Sequence, residues 1–322
     1  MNKGSEKTVK YDSKRAHIVL IITFGLYLAV GAAAGKIIGR NHPVPVIIME
    51  QLALIIPAFI WFGLGGKKWD KMVAFRAPEN YNIRMAVGVM ICVYPLVALI
   101  NFFTMLFVKN AVENVMPAFL EKGFWVSMLV MAVMPAFDEE FLCRGMLYQS
   151  YRKKSVTGGA FLSALLFGLL HLNLNQMPYA LFLGFIFALM VEATGTIVTS
   201  MLMHFLLNGF NVILNYYLYN TEMYTSDTGA DLDLAGLLSD PSLFKEVLIA
   251  VIVIIAVFLP LTIVTVYRTF RLNENASWKE KEESDEVLWD DSGGLADNPL
   301  IILIVFLIIL FNVFCSNSIE FS

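Results

Sequence analysis

Six polar side chains sit where the surrounding sequence is almost wholly apolar. Glu139, Glu140 and Arg144 fall in MAVMPAFDEEFLCRGMLYQSYRKK, His171 closes GGAFLSALLFGLLH, and His204 and Asn208 fall in TIVTSMLMHFLLNGFNVILN. An ionisable group inside a membrane is costly, so each is a functional candidate. Helical spacing sorts them. Glu140 and Arg144 are four apart with the acid first, the favourable order for an ion pair on one face, and they read as a structural bridge. Glu139 projects about 100° away from Glu140 and has no such partner. That makes Glu139 the stronger candidate for chemistry. The runs holding Glu139 and His171 form a hairpin about the basic turn near Ser155, sixteen residues from each. At about 1.5 Å of rise per residue both groups lie at one depth. A carboxylate and an imidazole so placed can share a water or a metal ion.

In the last of the three runs Ser200, His204 and Asn208 recur at intervals of four, and Asn211 and Asn215 continue nearly the same face. A polar stripe this long faces a cavity or a neighbouring helix rather than lipid. Interhelical hydrogen bonding alone is the plainer alternative, worth about 1 kcal/mol or less per bond. His17 and His42 lie at the edges of apolar runs and suggest nothing specific. Ala160, Ala164 and Gly168 form the small-residue stripe that lets membrane helices approach, and here it is expected to bring the two hairpin helices together. The same stripe also reads as packing alone. Glu192 stands in the turn VEATGT, between the runs that end near 194 and begin near 196. Cys92, Cys143 and Cys315 lack metal-ligand spacing and read as packing residues.

The elements that must position these groups are membrane helices. The chain is 58% hydrophobic and 16% charged, with a mean hydropathy of +0.68, against about 45–50% and 25% for a soluble chain. Runs of about 20 apolar residues, enough to cross the hydrocarbon core, occur at 17–36, 46–65, 85–108, 124–150, 156–172, 177–194, 196–218 and 245–267. The expected fold is an all-α, polytopic bundle of about eight transmembrane helices. It divides into a cytoplasmic N-terminal segment (1–16), the bundle (17–267, motifs within 124–218), an acidic cytoplasmic linker (268–298) and a C-terminal apolar segment (299–322). Within that last segment the run 299–315 reads as a ninth span or an appended anchor. With the N-terminus inside, 17 of the 23 basic residues fall in cytoplasmic segments, the bias that sets orientation. A net charge of −4, with basic residues only in short clusters, argues against nucleic acid as a partner.

The constellation also resembles a known set. EEFLCR at Glu139–Arg144 is an EExxxR motif, FGLLH at Phe167–His171 is FxxxH, and HFLLN at His204–Asn208 is HxxxN. In that order on successive hydrophobic helices they are similar to the CPBP family. That family comprises the CAAX prenyl endopeptidases of the Ras-converting type and bacterial bacteriocin-processing and self-immunity relatives, and it is also called the abortive-infection family. The resemblance covers about a third of the chain and leaves the C-terminal linker and ninth run outside it. It implies peptide hydrolysis within the bilayer on a membrane-associated peptide or protein substrate. Glu139 and His171 would activate water, His204 and Asn208 would stabilise the oxyanion, and Glu140 and Arg144 would support the site. A bacterial plasma membrane is the expected location on family breadth alone.

Two mechanisms remain open on this reading. The favoured one binds no metal and uses Glu139 as base. The other places zinc on His171, His204 and Glu139, leaving a fourth position for water. No HExxH pre-forms a zinc site, because the ligands come from three helices. The rival from another class is a non-catalytic scaffold or self-immunity protein binding a membrane partner. A transporter is disfavoured, since no inverted repeat or paired interrupted helices are visible.

Overall fold

A computed structural model of the chain describes residues 13–38, 42–64, 74–108, 111–152, 155–221 and 234–276. Every regular element among them is helical. In order these are α1 (Ser13–Ile37), α2 (Pro43–Leu64), α3 (Asn80–Met105), α4 (Ala111–Leu120), α5 (124–151), α6 (Val156–Leu170), α7 (Gln176–Thr194), α8 (Ile197–Asn220), α9 (Leu234–Ser239) and α10 (Pro241–Leu272). The apolar runs leave the backbone no solvent to bond, and a helix satisfies its N–H and C=O groups internally. Among the described residues six helices are long and apolar enough to cross a membrane: α1, α2, α3, α7, α8 and α10. The protein is an all-α, multi-pass membrane bundle.

The two remaining expected spans depart from the simple rule, and both carry candidate site residues. α5 is helical throughout but alternates between α turns and two π stretches, Leu129–Val133 and Phe141–Tyr148. The second π stretch begins at the residue after Glu140. Wide turns of this kind gather at functional sites, because they re-aim side chains without breaking the helix. α6 has only 15 residues, about 22 Å at helical rise. It is packed inside the bundle, so it need not match the hydrocarbon thickness itself.

Local signals set the boundaries around the site. Ser155 Oγ accepts from Gly158 N and caps α6. Glu192, expected in the turn, lies in the last turn of α7, and Gly195–Thr196 alone end one helix and start the next. Gly195 takes a left-handed φ of 68°, which costs a glycine nothing, and Thr196 Oγ1 then accepts from Val198 N to open α8. Thr196 also donates to the Arg76 carbonyl at 2.6 Å, tying the turn to the segment before α3. Glu192 is bridged by Arg152 at 2.6 and 2.9 Å and by Tyr148 at 2.7 Å. It fastens α7 to the end of α5 and takes no part in the site.

α7 stands at the centre, contributing to both main clusters of buried side chains. One joins it to α1, α2, α5 and α6, and the other joins it to α3, α8 and α10. Glycines allow the closest approach. A Cβ on Gly168 would lie 2.9 Å from the Met177 carbonyl, and one on Gly184 would lie 3.0 Å from Ala164 Cα. The Ala164–Gly168 stripe therefore packs α6 against α7. The expectation that it brings α6 to α5 is corrected on this point. Two other contacts join α6 to α5: Ser163 Oγ donates to the Cys143 carbonyl at 2.8 Å, and Gly159 lies against the end of α5, where a Cβ would stand 3.0 Å from the Tyr151 carbonyl carbon. Cys143 is buried and Cys92 half-buried, both as free thiols. Helix α10 continues to Leu272, five residues into the stretch expected as linker. The ninth run 299–315, with Cys315, lies outside the described residues.

Candidate active site

Glu139 and Glu140 are sequence neighbours with different surroundings. Glu140 is fully buried, and its Oε1 accepts from Arg144 Nη1 at 2.9 Å, as the spacing of four led one to expect. The same oxygen lies 3.1 Å from His204 Nδ1. Arg144, also fully buried, is covered by the Phe167 ring, with its Cζ 4.3 Å from the centroid, and by Phe187 at 5.4 Å. Both distances are within range for a cation–π contact. Glu139 turns the other way. Its Oε2 is 3.9 Å from His171 Nε2 and 3.9 Å from His204 Nε2, with no hydrogen-bond partner among the described residues.

The hydrogen bonds also orient the imidazoles. His171 Nδ1 lies 2.8 Å from the Phe167 carbonyl. A carbonyl oxygen only accepts, so Nδ1 carries the hydrogen and Nε2 is left facing Glu139. In His204 the Glu140 carboxylate, paired with Arg144, accepts from Nδ1 and again turns Nε2 toward Glu139. At 3.9 Å neither contact is a direct hydrogen bond, and a small polar group can sit against all three. Phe167 links the set, since its ring meets His171 edge-on at 4.8 Å and His204 at 5.8 Å. The first residue of FGLLH thus orients three of the six side chains, a role its sequence position alone did not suggest.

Asn208 lies one turn beyond His204 on α8, lines the same cavity, and its amide makes no hydrogen bond among the described residues. The cavity holds about 540 Å³, the size of a small-ligand or short-peptide pocket. Its polar wall continues along α8 through Asn211 and Asn215. Asn211 accepts from the Tyr94 hydroxyl at 2.9 Å, and Asn215 donates back to the Asn211 carbonyl. Glu139, His171, His204 and Asn208 therefore share one cavity, with Glu140 and Arg144 behind its wall.

Two residues of α2 escaped the sequence reading. With its amide nitrogen turned to the carboxylate, Gln51 donates to both oxygens of buried Asp138 at 3.0 and 2.6 Å. Asp138 Oδ1 also accepts the Glu139 N–H at 2.9 Å. Glu50 lines the cavity directly. The signal was present as two polar residues, EQ, in an otherwise apolar span, but nothing local says what they face.

A zinc ion bound tetrahedrally at about 2.0–2.1 Å sets its ligand atoms roughly 3.3 Å apart. The two 3.9 Å separations are wider than that. Among the described residues no group of three or more His, Cys, Asp or Glu side chains is arranged to hold a metal ion. As placed, these side chains do not fit zinc.

Residues 121–210 match the model of the type II CAAX prenyl endopeptidases, Rce1-like. Over this stretch, less than a third of the chain, the sequence is similar to that family. The matched segment contains all six motif residues and ends two positions after Asn208, in line with the CPBP resemblance of the motifs. The Rce1-like assignment is to a family of proteases, and at that level it supports an intramembrane CAAX-type hydrolase. No curated protein and no solved structure matches the chain.

Proposed function

We propose that the protein is an intramembrane endopeptidase that hydrolyses a peptide bond of a membrane-associated substrate with water activated by Glu139. The observation that carries this reading is the convergence of Glu139 Oε2 with the Nε2 atoms of His171 and His204 at 3.9 Å, inside a cavity. A water held there meets a carboxylate and an imidazole lone pair. As its oxygen attacks the carbonyl carbon, Glu139 takes the proton and the carbonyl oxygen becomes an oxyanion. Asn208 Nδ2–H, and His204 Nε2–H when that ring is doubly protonated, donate to the oxyanion. Collapse breaks the C–N bond, and the proton on Glu139 passes to the leaving amine. Donors preorganised in a water-poor site are worth about 3–4 kcal/mol each at the transition state. The proposal includes a cytoplasmic N-terminus, on the excess of Lys and Arg in the segments that then face inward, and a bacterial plasma membrane, on the breadth of the family.

The test is proteolysis of a peptide library by the full chain in detergent, with Glu139→Ala as the control. Equal cleavage by the variant would remove the proposal. The metal-free form predicts activity that survives exhaustive chelation, with well under one zinc per chain. It also predicts that Asn208→Ala lowers turnover by about 10²–10³-fold with little change in KM. The zinc alternative has one supporting observation, since histidines whose Nδ1 groups are spent on a carbonyl and a carboxylate are oriented as metal ligands usually are. Stoichiometric zinc, loss of activity with chelator and its return with zinc would establish that alternative.

A further inference from the structure

Glu50 is the second carboxylate on the cavity wall, and nothing in the proposed reaction uses it. It stands about 11 Å from the start of α2, inside an apolar span. Among the described residues no hydrogen bond or ion pair engages it. The fold nonetheless makes room for it. A Cβ on Gly31 of α1 would lie 2.3 Å from Glu50 Oε1 and 3.3 Å from its Cδ, so the carboxylate lies directly on the glycine backbone. Tyr27, one turn earlier on α1, lines the cavity beside it. A carboxylate in a membrane span is expensive, and such residues face a water-filled cavity or a partner of opposite charge. Here the cavity wall supplies no such partner, because no described lining residue is Lys or Arg. Arg144, the one buried Lys or Arg among the described residues, is already paired with Glu140.

The missing charge is therefore one that the substrate brings. We propose that Glu50 is a specificity determinant that receives a Lys or Arg side chain of the peptide whose scissile bond lies at Glu139. This rests on the endopeptidase reading and adds to it the class of substrate: a peptide with a basic residue near the cleaved bond. A carboxylate entering the same cavity would meet Glu50 and Glu139 with no cation to offset them. The site thus selects on charge in one direction. Gly31 is part of the device, because any side chain there displaces the Glu50 carboxylate.

Peptides carrying a single Lys, walked through the positions flanking the cleaved bond, are compared with the same peptides carrying norleucine, which keeps the stem and removes the charge. At one position the full-length protein should prefer Lys by about 30-fold or more in kcat/KM, the scale of a close charge pair removed from bulk water. That ratio should fall to near one in Glu50→Gln, and in Glu50→Lys the preference should turn to a Glu peptide. A wild-type ratio near one at every position, or a ratio unchanged in Glu50→Gln, overturns the proposal. Binding of the fluorescent Lys and norleucine peptides to Glu139→Gln protein, with and without Glu50→Gln, separates this from the endopeptidase reading. Glu50-dependent preference in binding without cleavage by the wild type keeps the charge selection and removes the protease. Cleavage with no charge preference does the reverse. Neither binding preference nor cleavage overturns both.

Discussion

Helices α7 and α10 are both long enough to span a bilayer, yet they contribute in opposite ways. In the most apolar 18-residue stretch of α10, 6% of residues are buried; in that of α7, 56% are. Among the described residues α10 leaves large side chains uncovered along most of its length, including Ile249, Ile252 and Val253, and its fixed contacts lie toward its end. There Asn273 pairs with Asn82 through reciprocal amide bonds at 2.8 and 3.2 Å. α7 is central, with Gly184 set against Arg144 and Ala164. Hydropathy is highest in the helix that is least buried by the described residues. It falls where helices meet one another around polar groups, so the weaker hydropathy signal marks the region that holds the candidate site.

Substitutions can break or sharpen that contrast. The largest effect is expected at Glu139, where Gln should lower turnover by about 10²–10⁴-fold, the usual cost of losing a general base. The thermal midpoint should stay close to wild type, because Glu139 has no ion-pair partner to lose apart from the two imidazoles at 3.9 Å. Turnover above about a tenth of wild type would remove the base assignment. Next comes Arg144→Ala, which strands Glu140 as a buried, uncompensated charge and empties the space between Phe167 and Phe187. The expected loss is about 3–5 kcal/mol of stability, read as a lower unfolding midpoint or yield in detergent. A variant as stable as wild type but inactive would move Arg144 into the chemistry.

Gly184→Ala is smaller. Its methyl would stand 2.8 Å from Arg144 Nη2 and 3.0 Å from Ala164 Cα, and overpacking of this kind costs about 1–3 kcal/mol. Activity should fall with it, since the displaced guanidinium holds Glu140 and, through it, His204. The smallest effect belongs to α10. Ile252, 57% exposed, should tolerate Ala within about 0.5 kcal/mol and leave turnover unchanged. A large loss there would show that α10 is covered by something other than lipid.

Much of this was legible in the residues themselves. The helical class follows from apolar runs too long and too continuous for any other membrane-spanning backbone. The Glu140–Arg144 pair follows from a spacing of four, and the common depth of Glu139 and His171 follows from equal distances to Ser155. Both features rest on helical rise and rotation, which the π stretch Phe141–Tyr148 alters too little to separate either pair. Ala164 and Gly168 were legible as a close-packing stripe, but the helix they approach was not. A stripe states that something comes near and does not name it.

Tertiary structure decided the rest. Period and spacing place a side chain on its own helix, whereas a site depends on how helices turn toward one another. That rotation brings Glu139 Oε2 to 3.9 Å from both imidazoles and lets Glu140 serve Arg144 and His204 at once. It sets Phe167 over Arg144 and carries Gln51 of α2 to Asp138. Glu50 is the clearest case. In sequence it is one acid in an apolar run, and only the packing of α1 against α2, with Gly31 beneath the carboxylate, turns it into the cavity. A charge inside a membrane announces that it has a purpose, because its desolvation is costly wherever it points. Which purpose depends on what it faces, and that is a property of the folded bundle.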